Sequence, residues 1–164
     1  ENRLTGLETG ADAYVTKPFS PQILKVRVEK LLEKRIRVQE HYSKTFKISP
    51  GLVPTKTEEE FLRRLQSVLD KHITSTAFTS EKFAKLMLMS RSQLHKKLHA
   101  VTGMSTTEFV RTQRINLAKE LLSHSDATIS EIAYQVGFNT PSYFNKVFKE
   151  IVGCTPNEYL SKKV

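Results

Sequence analysis

The chain has 164 residues, a formal net charge of +9, 38% hydrophobic and 26% charged residues, and only 6 Gly and 6 Pro. This composition excludes disordered and fibrous classes and fits a folded, mostly helical chain. No apolar run approaches the ~20 residues of a membrane span, and Glu1-Asn2-Arg3 does not open a signal peptide, so a cytoplasmic protein is expected.

Residues 1 to 35 hold a short β-type stretch, Ala13 to Thr16, closed by Lys17-Pro18. A helical pattern follows from Pro21 to Lys34, with Ile23, Val26, Leu31 and Leu32 at helical spacing. Residues 36 to 56 lack a helical period and carry Pro50-Gly51 and Pro54, which punctuate backbone and predict a linker. From Thr57 the pattern is helical almost throughout, beginning with TEEEFLRRLQSVLDKHI, in which Thr57 and Glu60 have capping-box spacing.

Two pairs of short helices are then predicted. In the first, Thr79-Ser80-Glu81 starts a helix through Met87, and Ser90 caps a second that Gly103 ends. Ser105 caps a longer helix to about Leu122. In the second pair, Thr128 caps SEIAYQVG, Gly137 supplies the turn, and Thr140 to Val152 forms the second member, ended by Gly153. Each pair carries a small alanine, Ala84 or Ala133, where helices would approach closely. This is a duplicated helix-turn-helix on one connecting helix. About 18 residues at ~1.5 Å rise give that helix ~27 Å, close enough to the ~34 Å turn of duplex DNA for both second helices to enter successive major grooves.

The predicted faces suit that use. With Leu94, Leu98 and Val101 inward, Ser92, His95, Lys96 and His99 point outward, and Arg91 and Gln93 sit at the N-terminal turn. With Phe144, Val147 and Phe148 inward, Ser142, Asn145, Lys146 and Lys149 point outward, with Thr140 near the start. These are side chains able to reach base edges or phosphates. Residues 82 to 149 hold ten Lys+Arg against four Asp+Glu, a local excess of six that favours a polyanion. Arg111 and Arg114 on the connecting helix contact phosphate or pair with Glu108 or Glu120; for Arg114 a phosphate contact and a structural role weigh equally. Neither the single Cys154 nor the five scattered histidines offer metal-ligand spacing, so no cofactor, metal or catalytic residue is expected.

Residues 57 to 164 resemble the AraC family of transcription regulators, above all in EIAYQVGFNTPSYFNKVFKEIVGCTPNEYL and the SRSQLHKKLHAVTGMSTTEFVRTQRINLAKELL before it. The resemblance implies an all-α fold with two helix-turn-helix motifs on a linker helix, binding of double-stranded promoter DNA, and contact with RNA polymerase. It places base reading at Ser92, His95 and Lys96 and at Ser142, Asn145 and Lys146, the positions already chosen from the faces. Leu88 stands where relatives often have Gly, so that turn is expected to be strained. Pro141 opens the second reading helix, removing one N–H.

Residues 6 to 32, GLETGADAYVTKPFSPQILKVRVEKLL, resemble the end of a response-regulator receiver domain. The resemblance makes Lys17 the remnant of a phosphorylation switch, whose acceptor aspartate would lie upstream of Glu1. Together the resemblances imply the output end of a hybrid two-component protein, homodimeric through its receiver, with no membrane contact by this segment although upstream segments could anchor the parent chain in the inner membrane. Three regions are therefore expected: a receiver fragment at 1–35, a linker at 36–56 and a double helix-turn-helix domain at 57–164. Residues 1–45 are expected to lack order unless paired with another copy. The rival readings are a helical protein-interaction adaptor without specific DNA binding, and a phosphotransfer receiver protein.

Overall fold

The computed structural model describes residues 20–44 and 56–162. Expectations for the β-type stretch, Lys17 and the Pro-rich part of the linker fall outside these residues. Among the described residues the secondary structure is entirely α-helical. The order is α1 (Pro21–Lys44), α2 (Lys56–His72), α3 (Ser80–Leu86), α4 (Arg91–Thr102), α5 (Thr106–His124), α6 (Ile129–Gln135), α7 (Pro141–Val152) and α8 (Pro156–Ser161).

Three boundaries depart from expectation. Helix α1 continues through residues 36–44, which the sequence pattern assigns to a linker. The reason is tertiary: Val38 is buried in the core with α2 and α4, and the Gln39 side-chain amide donates to the Ala100 carbonyl at 3.3 Å. Around residues 38–39 these contacts hold α1 against the first lobe. Helix α2 begins at Lys56, so Thr57 lies inside it rather than capping it. Helix α8 is a separate short element after Gly153 that the expected helices do not include, although Thr155 and Glu158 form a full capping box with Pro156 in the first turn.

Most of α1 carries apolar side chains that nothing among the described residues covers. Leu24, Val28, Leu32 and Ile36, four residues apart along one side, are all exposed.

The remaining helices build two lobes, each with its own core. The first buries Phe61, Leu62, Leu65 and Leu69 of α2, Phe83 and Ala84 of α3, Leu94, Leu98 and Val101 of α4, and Phe109 and Val110 of α5. The second buries Ile115, Ala118 and Leu122 of α5 with Ile132 and Ala133 of α6 and Phe144, Val147 and Phe148 of α7. Helix α5 therefore gives its first half to one core and its second half to the other. A chain of aromatic rings, Phe138 to Phe144 to Phe148 to Tyr159, tilted or edge-on at 5.3 to 5.7 Å, ties α8 into the second core.

Candidate nucleic-acid interface

Each lobe contains one helix-turn-helix, and the two turns are built alike. In the first, the Met89 N–H donates to the Ala84 carbonyl at 3.0 Å; in the second, the Phe138 N–H donates to the Ala133 carbonyl at 3.0 Å. Both alanines are buried, because a larger side chain would hold the helices apart. The turn residues are Leu88, at φ 53°, and Gly137, at φ 92°. Leu88 is the sole non-glycine residue with positive φ among the described residues, as its position in the turn predicts.

Caps fix where each second helix begins. Ser90 accepts from the Gln93 N–H at 3.1 Å, while the Gln93 side-chain carbonyl accepts from the Ser90 N–H at 3.0 Å. Thr140 accepts from the Tyr143 N–H at 3.3 Å, with Pro141 harmless in the first turn. Left-handed glycines, Gly103 and Gly153, end both helices.

On α4 the side chains of Arg91, Ser92, Gln93, His95, Lys96 and His99 are all exposed, with the His95 and His99 rings 6.1 Å apart. Lys97 leans away, its ammonium 5.6 Å from the Phe61 ring centre. On α7, Ser142, Asn145, Lys146 and Lys149 are exposed, as is Thr140 at its cap. The predicted faces are thus both open to solvent. Two members are partly committed: Gln93 through its carbonyl oxygen, leaving its NH₂ free to donate, and Thr140 through its oxygen, leaving its O–H.

Arg114 differs from the expected DNA contact. Its guanidinium is half-buried, with Nε donating to the Ile73 carbonyl at 2.9 Å and Nη2 donating to the Ser75 carbonyl at 2.8 Å. It lies 5.9 Å from the Phe138 ring centre, and burial lowers its pKa, though an arginine stays charged. Of its two weighed roles the structure favours the structural one. One turn earlier, Arg111 lies over the Tyr143 ring at 5.4 Å. Sequence reasoning missed Tyr143, since its partner stands on another helix and no spacing along the chain announces it. Elsewhere on the surface, the Glu108, Glu131 and Glu158 carboxyls are held below their usual pKa by the Ser105, Thr128 and Thr155 caps they complete.

Among the described residues no group of three or more His, Cys, Asp or Glu is placed to hold a metal, and no helix is long and apolar enough to cross a membrane. A family profile described as a helix-turn-helix domain matches residues 83–162. The C-terminal domain of AraT, a response regulator from Geobacillus stearothermophilus, superimposes with a TM-score of 0.58 at 30% identity, over 62% of this chain and 84% of that one. The DNA-binding domain of AdpA, a global transcriptional factor solved with a target DNA, does so at 0.57 and 26% identity, over 62% and 90%. Histidine kinase P4 of Formosa agariphila is 31% identical over 161 residues, 98% of this chain but 12% of the kinase. The chain belongs to the AraC-type helix-turn-helix family of DNA-binding transcription regulators.

Proposed function

We propose that this chain reads double-stranded promoter DNA with α4 and α7, and that it is the output module of a hybrid two-component signalling protein. The carrying observation is the pair of open polar faces, Ser92, His95 and Lys96 on one lobe and Ser142, Asn145 and Lys146 on the other. A single helix of 19 residues, spanning ~28 Å, runs between them. Bases are recognised by the side chains on these faces, while Arg91, Lys149 and the free donors of Gln93 and Thr140 hold phosphates.

The two-component part of the reading is supported by the match of nearly the whole chain to a segment of a histidine kinase and by the likeness to a response regulator's C-terminal domain. On this reading residues 1–35 close a receiver domain in which Lys17 serves the phosphorylation switch, and 57–164 form the DNA-binding domain. The bare apolar side of α1 is consistent with packing against the rest of such a receiver. Phosphorylation upstream would dimerise the parent protein, place two modules on DNA, and bring them to RNA polymerase in the cytoplasm.

Selection of bound duplexes from random DNA, followed by titration of the enriched site in rising salt, tests the proposal. Affinity should fall on the order of 10³-fold between ~50 and ~200 mM salt. An absence of both sequence preference and salt dependence would instead favour a protein-interaction adaptor.

A further inference from the structure

The two cores meet on α5, and the segment between them, residues 111–114, belongs wholly to neither. A helix alone holds two lobes at a fixed spacing, but without a contact between the lobes their relative twist rests only on each lobe's packing against its own half of the helix. The contact at Arg114 supplies the missing restraint. The Ile73 carbonyl lies just beyond the end of α2, where helix carbonyls lack intrahelical partners and the helix dipole is negative. Arg114 fills that need from α5, and its second donor takes the Ser75 carbonyl in the same loop. The other side of this contact is the turn of the second lobe. A Cβ built on Gly137 would come within 2.9 Å of the Thr74 carbonyl and 3.0 Å of both the Ile73 carbonyl and Arg114 Nε. The loop at 73–75 from the first lobe, the guanidinium and the turn at 137–138 from the second are thus stacked in direct contact, with Phe138 beside the cation. Arg111 over Tyr143 adds a weaker tie from α5 to the first turn of α7.

We infer that Arg114 is a positioning residue that locks the two reading helices into one relative orientation, so that the module recognises its two half-sites only at a fixed spacing and phase. A planar guanidinium with donors in a rigid fork suits two carbonyls of one loop; lysine has a single nitrogen to offer. The consequence for DNA rests on the proposed reading of duplex DNA, whereas the lock itself does not.

The test therefore measures the lock without DNA. In a Cys154→Ser background, spin labels at Lys97→Cys and Glu150→Cys, one on each reading helix and neither assigned to base reading, report the distance between the helices. The unaltered lock should give one narrow distribution, and Arg114→Gln should make it at least about twice as wide by freeing a hinge. If Arg114→Gln fails to retain its helical circular dichroism, Arg114→Lys is read in its place with the same expectation. Distributions that superimpose on the unaltered protein in a folded variant overturn the proposal. On DNA, the unlabelled protein should prefer its selected duplex over one lengthened by two base pairs between half-sites, a turn of about 70°, by at least about tenfold, and Arg114→Gln by less than about threefold. If the wild type binds no duplex selectively, the DNA reading fails while the distance measurement still decides the lock.

Discussion

Leu88 and Gly137 stand at the same point of the two turns, each following a buried alanine by four residues and each with positive φ, 53° and 92°. Their surroundings are opposite. The Leu88 side chain is 77% exposed, so it obtains little burial in return for a left-handed backbone that costs about 1–2 kcal/mol in a non-glycine residue. Gly137 is buried against the loop at 73–75. Leu88→Gly should therefore stabilise the protein by roughly 0.5 kcal/mol, the relief of strain outweighing the added freedom of the unfolded chain. Gly137→Ala should destabilise it by about 1–3 kcal/mol. Denaturant titration of both variants checks the pair, and shifts of the same sign would contradict this account.

The base-reading assignment makes a prediction about sequence preference rather than affinity alone. Lys96→Ala and Asn145→Ala should each cost about 1–3 kcal/mol on the selected site, with relaxed preference at one position. Binding measured on single-base variants of that site reads this directly. Equal losses on every duplex would assign these residues to phosphates instead.

Core packing under the second turn is close enough to be probed by overfilling. Ala133 is fully buried and its carbonyl anchors the turn through the Phe138 N–H. Ala133→Leu should lower stability by about 1–3 kcal/mol, since the added methylenes must push α6 from α7. An unchanged melting temperature would mean that the site is looser than the packing implies.

The capping boxes give the protein an acid limb. Glu108, Glu131 and Glu158 each have a folded-state pKa below the usual 4.5 because their carboxylates accept from cap N–H or O–H groups. A depressed carboxylate pKa stabilises the fold fully above the unfolded value, and this contribution disappears as pH falls through the folded value. Melting temperature should thus hold steady near neutrality and decline as pH drops below about 4.5. Replacing all three glutamates with glutamine, which can still accept at the cap, should flatten that decline; an equally steep one would place the acid sensitivity elsewhere.

Local rules made much of this molecule readable from its sequence. Ser90, Ser105, Thr128 and Thr140 announce helix starts through side chains that bond N–H groups three residues away, and Gly103 and Gly153 announce ends through a backbone few other residues adopt. The period of Leu94, Leu98 and Val101, and of Phe144, Val147 and Phe148, fixes which faces are buried and so which polar residues face out. All of these depend on residues close along the chain. What only the tertiary structure decided are contacts between residues far apart. Arg114 reads equally well as a phosphate contact until the Ile73 and Ser75 carbonyls, on another helix's end, are seen to occupy it. Residues 36–44 read as a linker until Val38 finds the first core, and nothing along the chain singles out Tyr143 until Arg111 is seen to lie over its ring. Spacing along a chain determines which side of a helix a residue takes; which partner meets that side is set by how the helices pack.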